Sequence, residues 1–389
     1  MEGMEFNAFD CGQPFLCPEQ VIAHVKEHYQ LSVVEIKPFD SYDGQNFYIE
    51  TVNVEEKRLP YVFKVFNSAL NNQTPALSAT NNVMEILKQK GFPCPEVIPT
   101  VKGDLYQLQE FTKLTPSVSP GVLSGIPTAN ICNLKSVSEI GRVKDTFAVQ
   151  LLTYIPGVTI HDLDVLPDRI FEEMGELLGR MHLILKGIKM DYGCLKEKGD
   201  NSPWSLVRLS YVTNWLNFVN DSRRVHIVQS VIDSFDRHVL TNRNRLTESI
   251  IHGDYNDGNV LASVPLPNSK DEIRVSGIID FEHICYSYRV FDVGIAIMYI
   301  LQCKVPDTDK AAMLFLRGYT KHCQLTQIET DCLYYCVAAR FAQSLVYGLY
   351  HYAKHQDDYV VFSQVRGWDA LEQMWSRGKD ASYKCWNVQ

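Results

Sequence analysis

The sequence predicts an α+β protein in two parts, a strand-rich part over residues 1–154 and a helical part over 155–389. Three observations predict it. Short runs rich in β-branched and aromatic residues crowd the first part, among them YVFKVF at Tyr61–Phe66 and FAVQLLTYI at Phe147–Ile155. Apolar residues at helical spacing dominate the second, as at Ile170, Met174, Leu177, Leu178 and Met181. Pro156-Gly157, a strand-ending dipeptide, stands between the two regimes.

Taken in order, Pro18–Tyr29 reads as a first helix, with Pro at its start and Val21, Ile22, Val25 and Tyr29 on one face. Leu31–Phe39 and SYDGQNFYIETV follow as two strands around a polar turn. Turns at such a place can cover phosphates with backbone N–H groups, which makes Ser41 to Asn46 a candidate; a plain hairpin turn is the alternative. In YVFKVF, alternation puts Lys64 on the face of Val62 and Phe66, where an ammonium needs an anionic partner such as a phosphate. A lysine snorkelling from an edge strand is the alternative there.

Ala76–Lys90 reads as a helix closed by Gly91 and Pro93. Its one acid, Glu85, lies near the far end, while the first half offers Ser78, Thr80, Asn81 and Asn82. Leu114–Gly141, rich in Ser, Pro and Gly, reads as a surface insertion. At the end of the Phe147 strand, Leu152 to Tyr154 could flank a nucleotide base. Helices are then expected at Pro167–Lys186, Trp204–Phe218, Arg224–His238, Val290–Gln302 and Ile328–Lys354. His182 reads as a packed helix-end residue. Asp292 and Arg340 are charges inside apolar helical stretches and so require partners.

The chemistry is concentrated in IIHGDYNDGNVL, Ile250–Leu261, and GIIDFE, Gly277–Glu282. Phosphoryl transfer asks for a placed hydroxyl and for cations that neutralise the phosphoryl oxygens. His252, Asp254 and Asn259 keep the spacing of the kinase loop H-R-D-x-x-x-x-N, in which Asp takes the acceptor's proton and Asn holds metal. Asp280, after a short apolar run and before Phe, stands where a second carboxylate holds metal on the phosphates. Hard Mg²⁺ is suited by such oxygen donors. Gly253 replaces the Arg of that loop, Glu282 replaces the Gly after Asp-Phe, and no A-P-E follows, so a peptide-substrate activation segment is not expected. His252 and Asp292 are assigned to support of the loop. The bland reading, an Asp-Gly-Asn turn, leaves both the five-residue offset and Asp280 unexplained.

Composition narrows the class. With 46% hydrophobic and 21% charged residues, 389 residues can build two sizeable cores. A net charge of -9 argues against nucleic acid as partner. Eleven scattered cysteines fit free thiols in a reducing compartment, and Cys332 and Cys336, one helical turn apart, read as core-facing. The N-terminus has no basic, apolar leader, and the longest apolar run, Val293–Leu301, is too short to span a bilayer, so a cytoplasmic protein without membrane contact is expected.

On HGDYNDGNVL, IIDFE and FDVGIAIMY the chain resembles the aminoglycoside phosphotransferase and choline-kinase superfamily. The resemblance implies a protein-kinase-like two-lobed fold, Asp254 as base, Asn259 and Asp280 as Mg²⁺ ligands, and Lys64 on the nucleotide phosphates. SYDGQNF, LLTYIPG, YRVFDVGIAIMY and RFAQSLV are similar to a branch that phosphorylates the hydroxyl of 5-hydroxy-L-lysine with GTP. An acceptor with two ammonium groups and a carboxylate would need an Arg, for which Arg289 and Arg340 are candidates, and acids, for which Asp257 and Glu282 are. A homoserine or choline-type kinase using ATP, or a nucleotide-binding pseudokinase, are the alternatives.

Overall fold

A computed structural model describes residues 14–39, 41, 44–52, 56–67, 74–114, 142–265, 272–355 and 366–388. The chain is α+β and divides into two compact units, one reaching to Glu85 and including Pro95–Tyr154, the other built from Ile86–Cys94, Ile155–Ala353 and the C-terminal helix.

The first unit is a six-stranded antiparallel sheet. Its strands are β1 (Ser32–Phe39), β2 (Gln45–Val52), β3 (Arg58–Val65), β4 (Val97–Ile98), β5 (Gln107–Leu114) and β6 (Arg142–Thr153). They run in the order β1-β2-β3-β6-β4, with β5 also on β6. Helix α1 (Pro18–Tyr29) opens with Pro and a box in which Cys17 N–H donates to Gln20 Oε1 at 3.0 Å. It lays Val21, Val25 and Tyr29 on Phe47, Ile49, Phe63, Val65, Val149 and Leu151 of the sheet. Burying each such aliphatic or aromatic side chain is worth about 1.5–3 kcal/mol, which makes this face the core of the unit.

Strand alternation sends the neighbours of those residues to the other face. There Asn46 of β2 pairs in register with Lys64 of β3, and Lys64 with Gln150 of β6. Lys64 is buried on this polar row. Helix α2 (Thr74–Gln89) is tied to the row by Gln150 Nε2, which donates to Asn81 Oδ1 at 2.6 Å. Glu85, the helix's single acid, is exposed.

Strand β5 was not expected from the sequence. Its QLQEFTKL pattern buries Phe111 but leaves Leu108 half exposed, as suits a strand that among the described residues is bonded on one side, to β6. Of the insertion expected at Leu114–Gly141, residues 115–141 lie outside the described residues; they join β5 to β6, which pair from Gln107↔Val149 to Leu114↔Arg142.

In the second unit, short strands frame loops and long helices supply the body. β7 (Val158–Thr159), β9 (Val260–Ser263) and β10 (Arg274–Ile278) form one sheet, and β8 (Glu248–Ile251) pairs with β11 (Cys285–Tyr288). Helices α3 (Asp168–Leu185), α4 (Gly193–Asn201), α5 (Ser222–His238), α6 (Arg289–Ile300), α7 (Thr308–Thr320), α8 (Gln327–His355) and α9 (Gly367–Trp386) surround them. α3 and α7 touch through glycines: a Cβ on Gly175 would sit 1.9 Å from the Phe315 carbonyl oxygen, and one on Gly318 at 1.9 Å from that of Glu172. A ladder of Glu172, Glu176, Arg317 and Lys321 closes the solvent side of this contact.

The segment expected as a helix from Trp204 is wound as a 3₁₀ helix over Leu206–Phe218. Its buried residues, Leu206, Leu209 and Val212, recur every third position, the period of that helix. Cys332 and Cys336 are buried free thiols on α8, as their spacing implied.

Candidate active site

β8 runs into a polar loop that returns as β9, and this short path carries His252, Asp254, Asn256, Asp257 and Asn259. The loop hangs from Asp292, fully buried near the start of α6, whose Oδ2 accepts from His252 N–H at 2.7 Å and whose Oδ1 accepts from Gly253 N–H at 2.8 Å. His182 of α3 adds its Nε2 at 3.1 Å from Asp292 Oδ2 and its Nδ1 at 3.0 Å from the Tyr319 hydroxyl. Asp292 is thus a bracket for the loop's backbone, and His182, a packed helix-end residue, is part of that bracket.

His252 ties the loop to the second carboxylate strand. Its Nε2 lies 3.1 Å from the Ile279 carbonyl oxygen, and its Nδ1 accepts from Asp254 N–H at 3.4 Å. Burial pushes its pKa down, so the ring is neutral and carries its proton on Nε2. Ile279 N–H in turn donates to the Asn259 carbonyl at 2.9 Å. Gly253 is dictated by this closeness: at φ +80°, a Cβ there would come within 2.4 Å of the His283 carbonyl oxygen. The Arg of the kinase loop could not occupy it without moving the Phe281–His283 turn.

The Asp254 carboxylate is partly exposed, at 19%. Its Oδ2 accepts from Asn256 Nδ2 at 2.9 Å and from Asn259 Nδ2 at 3.2 Å, while Oδ1 accepts from Arg340 Nη2 at 2.6 Å. Asn259 also donates to the Asp254 carbonyl at 2.9 Å. With its amide nitrogen committed to the loop, Asn259 has its amide oxygen left as a donor that could serve a cation. Asp280, just past β10, sits in the left-handed region at φ 61°, ψ 68°, a conformation Asp tolerates better than most residues. One amide and one carboxylate oxygen donor fit a hard divalent ion that fills its remaining positions with water and phosphate, the habit of Mg²⁺.

Two other expected residues look different in place. Arg289 does not join this cluster: its Nη2 is 2.6 Å from Glu329 Oε2, which is wholly buried, and donates to the Gln324 carbonyl at 2.9 Å. It is a structural ion pair between α6 and α8. Arg340 faces Asp254 and not open solvent; only 2% of its side chain is exposed. Its Nη1 donates to the Trp204 carbonyl and Gln343 Oε1, and its guanidinium lies 4.9 Å from the centre of the Trp204 ring. Tyr299, whose hydroxyl is 3.4 Å from Arg340 Nη2, has its pKa pushed up to about 12 by burial and stays protonated.

Asp257 holds His161 Nδ1 at 3.1 Å, and that hydrogen bond raises the His161 pKa. The Glu282 backbone carbonyl accepts from Lys198 Nζ at 2.5 Å. In the first unit, Asn46 Nδ2 donates to Ser41 Oγ at 3.3 Å, and residues 42 and 43 of that turn lie outside the described residues. Gly44 is required there, since a Cβ would meet the Val65 carbonyl oxygen at 2.5 Å. Leu152 pairs with Val62, and the Tyr154 ring stands edge-on to Tyr48 at 5.2 Å. Asn256, His161, Trp204 and Tyr299 were not singled out by sequence. Asn256 had a signal, because Asn-Asp-Gly is a turn in which the Asn side chain bonds the following amides, here those of Gly258 and Asn259.

An Asp and an Asn five residues apart on one loop, with a further Asp from the adjoining strand, define a phosphotransferase of kinase-like fold. The model of the phosphotransferase enzyme family matches residues 35–322, and the chain belongs to that family. It acts as a phosphotransferase on an alcohol acceptor. Among curated proteins it is similar to the hydroxylysine kinase of Xenopus laevis, 28% identical with 99% of this chain and 96% of that protein covered. It is also similar to that of Bos taurus, 29% identical with 96% and 93% covered. Solved structures share the fold: an amicoumacin kinase in complex with AMP-PNP, Ca²⁺ and Ami (TM-score 0.60, 15% identity, 92% of this chain and 94% of that chain). A microcompartment-associated aminopropanol kinase follows (TM-score 0.58, 14% identity, 92% and 98%). Among the described residues no helix is long and apolar enough to cross a membrane.

Proposed function

We propose that the protein transfers the γ-phosphoryl group of a purine nucleoside triphosphate, GTP by its kinship, to the side-chain hydroxyl of 5-hydroxy-L-lysine. The observation that carries this reading is similarity to hydroxylysine kinases over nearly the whole of both chains. In this reading Asp254 orients the acceptor hydroxyl and takes its proton as the oxygen attacks phosphorus. Asn259 and Asp280 hold Mg²⁺, which when bound neutralises charge on the phosphoryl oxygens. Lys64 serves the nucleotide phosphates, the Ser41–Asn46 turn covers them, and Leu152 and Tyr154 flank the base. Asp257 and Glu282 are assigned to the acceptor's ammonium groups and Arg340 to its carboxylate; Arg289, bound to Glu329, is released from that role. The Asp292 bracket keeps Asp254 in register, and the site of action is the cytoplasm.

Phosphoryl transfer measured for 5-hydroxylysine, homoserine, choline and an aminoglycoside, each with GTP and ATP, tests the assignment. The highest kcat/KM is expected for 5-hydroxylysine with GTP. A preference for homoserine or choline sinks the acceptor assignment and keeps the phosphotransferase. A pseudokinase would bind nucleotide and transfer to none of them.

A further inference from the structure

Asp254 would serve poorly as a base in the arrangement seen. Its Oδ2 accepts from two amides, and its Oδ1 from a guanidinium at 2.6 Å. An ionised carboxylate whose lone pairs and charge are shared this way has little to offer an incoming hydroxyl. The lock is itself incomplete. Arg340 spends Nη1 on the Trp204 carbonyl and Gln343 and Nη2 on Asp254 and the Tyr299 hydroxyl, and its Nε is buried with no partner. Nε and Nη2 lie along one edge of the planar group, the edge that receives both oxygens of a carboxylate in two parallel bonds. Asp254 brings a single oxygen to it.

Arg340 is also fixed from behind. Gln343, its Nη1 partner, donates to the Pro203 and Ser205 carbonyls at 2.8 and 3.2 Å, and the Trp204 ring lies against the guanidinium. None of these contacts uses the Nε edge. An exchange of carboxylates there moves Asp254 and leaves Arg340 where it is, and the buried guanidinium keeps an anionic partner throughout.

We propose that the carboxylate of the acceptor takes the Nε–Nη2 edge of Arg340 and thereby frees Asp254 Oδ1 for the acceptor hydroxyl. The base is unlocked by the substrate's own carboxylate, an inference that rests on the amino-acid acceptor proposed above. Once free, Asp254 takes the hydroxyl proton and the acceptor oxygen forms its bond to the γ-phosphorus. The bond from that phosphorus to the bridging oxygen breaks, and its electron pair leaves with the nucleoside diphosphate. Without a carboxylate in place the base stays on Arg340, and the donor is spared attack by water. Arg340 thus has two parts to play: it binds the acceptor's carboxylate, and by giving up Asp254 Oδ1 it positions the base.

Two measurements on the full wild-type chain test this. Lysine carries the carboxylate and both ammonium groups but no hydroxyl, and cadaverine lacks the carboxylate as well. Saturating lysine should raise hydrolysis of the donor nucleotide by about ten-fold or more, a modest share of what a placed base contributes, and cadaverine should not. Next, 1,5-diaminopentan-2-ol, the acceptor without its carboxylate, should lose kcat by a similar factor at saturation. Arg340→Lys, which keeps the charge but not the two-pronged edge, should abolish the lysine effect while melting as a folded protein. Hydrolysis that is the same with lysine and cadaverine overturns the gate, as does a decarboxylated acceptor whose loss lies wholly in KM. Absence of transfer to any acceptor would instead overturn the reading beneath it.

Discussion

Asp254 and Asp280 are carboxylates that both lie close to His252, and the function proposed above gives them different work. Asp254 is held by Asn256, Asn259 and Arg340, all donors, at a position fixed by the amides of its own loop. Asp254→Asn keeps the size of the group and removes its capacity to take a proton, so kcat should fall by roughly 10² to 10⁴ with nucleotide affinity unchanged. Asp280→Ala should do the reverse, weakening nucleotide binding in calorimetric titration and blunting its dependence on Mg²⁺. Equal damage to binding in both variants would contradict this division. Gly253 has a purely steric role, given its φ of +80° and the 2.4 Å approach of a Cβ to the His283 carbonyl. Gly253→Ala should cost about 1–3 kcal/mol of stability in denaturant unfolding. The spacing of Asp254, Asn259 and Asp280 was legible in the sequence because each lies within a few residues of a strand end. The reach of Arg340 was not. A charge in the middle of an apolar helix announces that it has a partner, and only packing chooses between an acceptor and Asp254.

Among the elements, those with strong periodicity were the ones the sequence foretold. α1 and α3 matched the expected spans to within a residue or two, since each has an apolar stripe and a Pro at or just before its first residue. The sequence of Leu206–Phe218 predicts a helix without telling 3₁₀ from α, because spacings of three belong to both patterns and only a missing fourth-residue contact separates them. β5 escaped because its apolar residues, Leu108, Phe111 and Leu114, recur every third position and do not alternate as a strand's would. The glycines on α3 and α7 were legible as residues and silent about their purpose. They let two backbones approach to where no side chain fits, so Gly175→Ala should be strongly destabilising, by more than the roughly 1 kcal/mol that separates Gly from Ala in helix propensity, and in the opposite direction. Loss of cooperative unfolding at physiological temperature is the expected readout. In the first unit, Asn81→Leu leaves Gln150 Nε2 buried without its 2.6 Å acceptor and should cost about 1–3 kcal/mol.

At the scale of the whole molecule, each unit buries a histidine that must stay neutral, and this sets how the fold responds to acid. In the first unit His24 lies against Phe63 and Phe111, and burial, reinforced by His28, brings its pKa down to about 4 from 6.5. In the second unit burial likewise lowers that of His252. Both bind protons less readily folded than unfolded. Between pH 6.5 and 4 the unfolded chain therefore takes up protons that the folded chain refuses, and stability falls as pH drops through that window. Above 6.5 both states are neutral and nothing is lost. Glu329 and Asp309, whose pKa values are lowered in the fold, also stabilise less at low pH, but their loss begins only as the carboxylates of the unfolded chain start to protonate, near 4.5 and 3.8. His161 works in the other sense, since its bond to Asp257 raises its pKa: its contribution is complete below pH 6.5 and fades above it, and its exposure keeps it small. The melting temperature should accordingly hold nearly level from pH 8 to 7 and decline below 6.5, before carboxylate protonation sets in. His24→Phe removes one of the two groups and also removes a buried Nε2 that has no partner. That variant should melt at or above the wild-type temperature at pH 5 and show a shallower decline from pH 6.5 to 4; an unchanged slope would mean that His24 titrates in the fold as it does in the open chain.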